Sequence, residues 1–278
     1  MRVPPKLMAG ARTASRARGK SDAIDALAVA RAALREPELP VARLEGAERE
    51  IRLLLDHRDD LVQERTRIQQ RLRWHLHELH PELVLPAGCL DRRVWLERLA
   101  RRLARAEQTA QVRICRELVS RCRELTRRAA ELERELSALV HVHAATLLEL
   151  PGCGVLTAAK IVGETAGAER FSGEAKLAMH AGTAPLPASS GAHQRHRLNR
   201  SGNRQLNCAL HRIAVTQGRW HPPARAYLAR KESEGRSRKE ALRCLKRHLA
   251  RLVYGRLCAR EEEKMTSTNR PVLVPALT

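Results

Sequence analysis

The sequence predicts a mainly α-helical protein, a long antiparallel helical hairpin or coiled coil followed by a compact helical domain. Three observations predict it. Apolar residues recur at helical spacing from about residue 46 to 146, among dense Arg and Glu. The breakers Pro81, Pro86 and Gly88 sit together at a single bend within that stretch. After Leu150 the texture changes: Pro151 to Glu164 hold three glycines and a run of small residues.

Each element follows in order. Residues 1–20 are basic and punctuated by Pro4, Pro5, Gly10 and Gly19. Ser21 is placed to cap a helix carrying Asp22, Asp25, Leu27, Val29 and Ala30, which Pro37 stops. A second helix over about 46–80 repeats Ile51, Leu54, Leu55, Leu61, Ile68, Leu72 and Leu76. From 91 to 146 there is no Pro or Gly, so one continuous helix is expected, carrying Val94, Leu99, Leu103, Val112, Leu118, Leu125, Leu132 and Leu139. A small-residue helix follows the 151–154 turn, then a Gly/Pro/Ser-rich loop at 182–191 and a basic helix from about 202, interrupted by Pro222 and Pro223. Ser237 with Glu240 makes a capping box for a last helix bearing Leu242, Leu245, Leu249, Leu252 and Val253. The tail from 263 is polar and then Pro-containing, and disorder is expected there.

Charge narrows the function classes. The formal net charge is +21 and the sequence pI about 11.0, the signature of a polyanionic partner. Residues 1–20 carry six Lys/Arg and no acid, residues 191–260 carry 18 Lys/Arg against three Glu, and the remainder is neutral on balance. Arg outnumbers Lys 44 to 8. Guanidinium grips phosphate bidentately, although a GC-rich genome also enriches Arg, and the two causes coexist. With one Phe, two Tyr and three Trp, an aromatic platform for single strands is excluded. The seven cysteines include no C-x-x-C pair, which argues against a disulfide framework and structural zinc. No signal peptide and no apolar run near 18 residues occurs, so a cytoplasmic protein without a membrane partner is expected.

Three motifs carry chemistry. Leu150-Pro151-Gly152-Cys153-Gly154-Val155-Leu156-Thr157-Ala158-Ala159-Lys160-Ile161 resembles a helix-hairpin-helix element. Its glycines (Gly152, Gly154) would let backbone approach a phosphate, with helix N–H groups facing the anion and Lys160 beside them. An ordinary tight helix–helix turn has the same residues without a ligand. The second motif is the loop Gly182-Thr183-Ala184-Pro185-Leu186-Pro187-Ala188-Ser189-Ser190-Gly191, followed by the basic run Arg195-His196-Arg197-Leu198-Asn199-Arg200-Ser201-Gly202-Asn203-Arg204. An open serine among arginines suits attack on a phosphodiester; a solvated loop is the alternative. His193 and His196 are possible proton carriers or phosphate contacts. The third is Gly19-Lys20-Ser21-Asp22-Ala23-Ile24-Asp25-Ala26. Asp22 and Asp25 share one helix face, where they would fit one divalent cation, or serve only as cap and dipole partners.

These motifs, in this order and with a helical spacer between the first-encoded and the others, resemble the transposases of the insertion-sequence one-hundred-and-ten type, related to the Piv pilin-gene invertase. The resemblance covers about residues 1–260, and Trp74-His75-Leu76-His77-Glu78 also looks like family sequence. It implies a RuvC-like domain with an Asp-Glu-Asp-Asp metal site, a coiled-coil spacer, and a C-terminal domain with a nucleophilic serine. The implied chemistry is Mg²⁺-dependent DNA cleavage and religation through a serine–DNA intermediate, in an oligomer guided by a structured RNA. By the resemblance, Asp22 and Asp25 match the last two metal carboxylates, and Ser189 or Ser190 the nucleophile.

On this reading residues 1–40 are the C-terminal end of the RuvC-like domain, 45–147 the spacer, 148–262 the transposase domain and 263–278 a tail. The first Asp and the Glu of the implied metal set are not found ahead of Asp22, so a truncated and impaired transposase is expected. A helix meant to cover a sheet would then expose Ile24, Leu27 and Val29. The alternative is a non-catalytic nucleic-acid-binding or assembly protein.

Overall fold

The computed structural model describes residues 3, 5–13, 21–36, 39, 45–187, 196–200 and 202–268, with backbone alone for 5, 6 and 260–268. Among these the protein is mainly α-helical, and its one sheet is a two-stranded ladder. The chain divides into two units, one of residues 51–140 and one of 1–50 with 141–278.

The 51–140 unit is built on α3 (Ala47–Leu79), a 3-10 turn (Cys89–Asp91), α4 (Arg93–Arg105) and α5 (Ala110–Leu148). α3 and α5 run antiparallel: Arg58 donates to Glu133 (Nε to Oε1, 2.9 Å), Arg121 to Glu64 (Nη2 to Oε1, 2.6 Å), and Gln111 to Glu78 (Nε2 to Oε2, 2.8 Å). Such half-exposed pairs set register and contribute little energy. The apolar seam holds the unit together: Ile68, Leu72 and Leu76 of α3, Leu96, Leu99 and Leu103 of α4, and Val112, Cys115, Val119 and Cys122 of α5 form one buried cluster. At the bend, Gly88 takes φ +71, and Arg73 donates to the carbonyls of Leu85 (3.2 Å) and Pro86 (3.1 Å).

The expected continuous helix over 91–146 is interrupted. Ala106 is extended (φ −77, ψ 159), Gln108 Nε2 donates to the carbonyls of Leu103 (3.1 Å) and Ala106 (2.6 Å), and Thr109 Oγ1 accepts from Val112 N (3.3 Å). Side-chain caps make this break without Pro or Gly, so α4 folds back into the cluster. A second irregularity lies at Ala144 (φ −158, ψ 34).

In the other unit α1 (Pro5–Thr13) packs on α2 (Asp22–Arg35) through Ala11, Ala28 and Ala32. Ser21 caps α2, accepting from Ile24 N at 3.3 Å. Leu27 and Val29 are exposed (46% and 38%), whereas Ile24 is half-buried. The expected exposed stripe is thus present at two of its three positions.

Residues 141–268 form a helical cluster. α6 (Val155–Thr165) packs on α8 (Arg204–Trp220), and α10 (Arg238–Thr268) packs on α7 (Glu174–His180), α8 and α9 (Pro222–Ser233). The interior is small and aliphatic: Ala158, Ala159, Ile161, Leu206, Leu210, Ile213, Leu245 and Leu249 are all buried. At the start of α10 the Glu240 carboxylate accepts from Ser237 N (3.0 Å) and Oγ (2.8 Å). α10 continues to Thr268, past the expected onset of disorder at 263, and no Pro or Gly follows Gly255 within it. Among the described residues no helix is long and apolar enough to cross a membrane.

Candidate nucleic-acid interface

The second motif acquires a framework in the structure. β1 (Leu186–Pro187) pairs antiparallel with β2 (His196–Arg197), Leu186 opposite Arg197 and Pro187 opposite His196. The segment joining them carries Ser189, Ser190, His193 and Arg195, which lie outside the described residues.

Backbone crossing fixes the base of this hairpin. Gly182 (φ +66) meets Gly202 so closely that a Cβ on Gly202 would fall 2.2 Å from Gly182 N and 2.3 Å from its Cα. Asn203 N donates to His180 O at 2.6 Å, and the Asn203 side chain caps α8, accepting from Gln205 N (2.9 Å) and Leu206 N (3.0 Å). Its amide nitrogen donates to Glu164 Oε2 at 2.6 Å, a carboxylate buried on α6. Gly202 and Asn203, read from the sequence as part of a basic motif, are the clamp that anchors the loop's exit.

Beside the ladder lies a cleft of about 790 Å³ between residues 182–185 and 196–199 on one side and the α9–α10 junction on the other. Its border is cationic: Arg197, Lys231, Arg236, Arg243, Lys246 and Arg247, against Glu234 and Glu240. Both carboxylates are engaged, Glu234 by Lys231 (2.7 Å) and Glu240 by Ser237. Arg197 is exposed and has no carboxylate partner among the described residues. Arg200 and Arg204 are exposed as well, Arg204 at the first position of α8. Lys246 is buried, and its ammonium donates to Asn207 Oδ1 at 2.9 Å. Burial, with Arg243 adding repulsion, pulls its pKa below the ordinary lysine range. The charge excess of 191–260 pointed to this segment, but Lys231, Arg236, Arg243, Lys246 and Arg247 were individually invisible. Nothing local marks them as neighbours of residues 182–199.

The Pro-Gly-x-Gly turn separates its two glycines. Gly152 (φ +82) is packed against α8: an added Cβ would meet Thr216 Cγ2 at 3.0 Å, and Gln217 Nε2 donates to Pro151 O at 2.7 Å. This glycine serves positive φ and close helix approach. Gly154 is exposed and takes ordinary extended angles (φ −82, ψ 174) as N-cap of α6, without a side-chain cap bond. A Cβ added there would have nothing within 4 Å. Cys153 is buried, its thiol pushed up to about 12 by burial, so it is a core side chain. Every α6 residue from Ala158 to Thr165 is buried, Lys160 included at 8% exposure.

Asp22 and Asp25 occupy the first turn of α2, where Asp25 Oδ1 lies 3.1 Å from Arg12 Nη1. Among the described residues no group of three or more His, Cys, Asp or Glu side chains is arranged to hold a metal ion. Two carboxylates, one already facing a guanidinium, do not fit a divalent metal site by themselves.

The sequence is similar to known proteins along most of its length. A family model described as the transposase IS116/IS110/IS902 family matches residues 144–229. A transposase model of the DEDD IS110 type matches residues 1–81. The chain is similar to the insertion element IS110 uncharacterized 43.6 kDa protein of Streptomyces coelicolor, 29% identical over 86% of this chain and 70% of the relative. It is also similar to the insertion element IS116 uncharacterized 44.8 kDa protein of Streptomyces clavuligerus, at 27% over 92% and 75%. With the insertion element IS900 uncharacterized 42 kDa protein of Mycobacterium paratuberculosis it shares 32% identity, over 42% of this chain and 30% of that one.

Proposed function

The chain belongs to the IS116/IS110/IS902 family of transposases, and we propose that within DNA transposition it cleaves and rejoins strands through Ser189 or Ser190. What supports this reading is the cleft beside the 186–197 ladder, which is bordered by six Lys/Arg; Ser189 and Ser190 lie in the sequence between the two strands of that ladder. In the step proposed, the serine Oγ attacks the scissile phosphorus and loses its proton. A phosphoserine ester forms as the P–O bond to the leaving sugar oxygen breaks, and that oxygen takes up a proton. Attack by a new sugar hydroxyl reverses the exchange and releases the serine, so the phosphodiester bond count is conserved. Cations such as Arg197 favour this by balancing charge on the equatorial oxygens.

Incubating the full chain with a labelled duplex of the element end and a divalent metal tests the reading. A covalent protein–DNA adduct is expected that survives denaturing electrophoresis. It disappears in one of Ser189→Ala and Ser190→Ala, while duplex binding persists. An adduct retained by both variants, and by the double variant, defeats the serine assignment. Binding with no adduct in any form of the chain would leave the alternative of a non-catalytic DNA-binding protein.

The DEDD type of transposase generally uses a divalent metal. Mg²⁺ is the ion the resemblance implies, with Asp22 and Asp25 as two ligands of a larger set. A structured guide RNA and a homo-oligomer belong to the same reading. RNA of defined length copurifying with the chain, and a mass in solution above that of one chain, are the corresponding expectations.

Gly154 offers a probe of the turn as a phosphate contact. Gly154→Ala is expected to leave stability within about 0.5 kcal/mol, since nothing opposes the methyl group. Duplex affinity should fall several-fold, because the methyl intrudes where backbone would approach phosphate. Equal affinities by fluorescence anisotropy would reduce the turn to a structural element.

A further inference from the structure

We propose that Lys246 is the floor cation of a phosphodiester subsite in the 182–247 cleft, held ready for duplex DNA by Asn207. The inference rests on the reading of this cleft as a DNA-joining site, and assigns the residue that receives the backbone at its base. Lys246 lines the cleft from α10 with only 8% of its surface exposed. Burying an ammonium is costly unless an anion compensates it. None of the described carboxylates does so: Glu234 is taken by Lys231, Glu240 by Ser237, and Glu174 by Arg247 at 3.2 Å. Among the described residues, the hydrogen bond made by the Lys246 ammonium is the 2.9 Å contact with Asn207 Oδ1.

That contact is itself oriented. Asn207 Nδ2 donates to Ala181 O at 2.8 Å, which turns Oδ1 toward the lysine. The ammonium has three donors and Asn207 uses one, leaving two for a ligand. Arg243 adds like charge beside it and Arg197 and Arg236 border the same cleft. A buried cation among cations, fixed by a neutral amide, is complementary to a singly charged group with several acceptor oxygens. A backbone phosphodiester has that chemistry, and a carboxylate partner supplied by the protein itself would have blocked it.

Binding of a 20-base-pair duplex to the full chain, measured by anisotropy across 50–300 mM salt, tests the inference. Lys246→Met keeps the stem packing and removes the charge. It is expected to weaken binding by about tenfold and to reduce the slope of log affinity against log salt by about 0.9, one phosphate contact. Lys246→Arg is expected to restore the slope. An unchanged slope in Lys246→Met, whatever its melting temperature, overturns the proposal, because a lysine satisfied by Asn207 alone would alter stability and not counterion release. The unaltered chain provides a second measurement free of folding effects. Duplex should protect Lys246 from acetylation read by mass spectrometry, and undiminished acetylation counts against the subsite. Ser189→Ala and Ser190→Ala should keep the full slope. Absence of a serine adduct with the Lys246 slope change intact would refute the nucleophile and spare the subsite; the reverse pattern refutes the subsite alone.

Discussion

Gly202→Ala is expected to destabilise the chain by about 3 kcal/mol or more, the largest single effect foreseen for a methyl group in this protein. The added Cβ would lie 2.2 Å from Gly182 N, 2.3 Å from Gly182 Cα and 2.9 Å from Ala181 C. All three are backbone atoms, so no rotamer change relieves the clash; the two chain segments must part. Gly182 cannot yield easily, since it holds φ +66 with Asn199 O and Gly202 Cα 3.1 and 3.2 Å from its own missing Cβ. A loss of this size lowers the melting temperature by roughly 6–12 °C for a domain of this size, readable by circular dichroism. The proposed strand joining should fall with it, because Gly202 follows the serine segment in the chain. A melting temperature within about 2 °C of the parent would mean that the crossing opens at little cost.

Asn203→Ala should cost about 2–4 kcal/mol through two separable losses. The first is the cap of α8, where Asn203 Oδ1 accepts from Gln205 N and Leu206 N, typically about 1 kcal/mol. The second is the 2.6 Å donation to buried Glu164, and bonds to charged groups contribute about 1.5–3 kcal/mol. Asn203→Asp separates them. Aspartate keeps the capping oxygen but presents an acceptor to a carboxylate, so a variant as stable as the parent would show that Glu164 does not depend on the amide. Chemical denaturation of the three proteins measures both quantities.

Both predictions concern residues the sequence had marked for chemistry, which shows where reading along the chain succeeds and where it stops. Helices announced themselves through period and caps. Ser21 and Ser237 sit where their cap geometry places them, and the bend at 81–88 is where the breakers cluster. The break at 106–109 did not announce itself, because Gln108 and Thr109 end and start helices with side-chain bonds rather than with Pro or Gly. Lys160 was legible as basic but not as buried: α6 lies at the centre of its cluster and hides every residue from Ala158 on.

By itself the sequence determined that this protein is helical and that its positive charge gathers in two segments, and it showed a resemblance to insertion-sequence transposases. Those properties are local or additive: caps, periodicity and net charge depend on residues near one another or on counts alone. Only the tertiary structure decided which glycine serves packing (Gly152, against Thr216) and which stands open (Gly154). It alone brought Lys246 to Asn207, 39 positions away, and Gly202 onto Gly182. A glycine needed for positive φ, for close approach or for a ligand is the same letter. The environment that distinguishes these uses comes from segments distant in the chain, and exists only once the helices have packed.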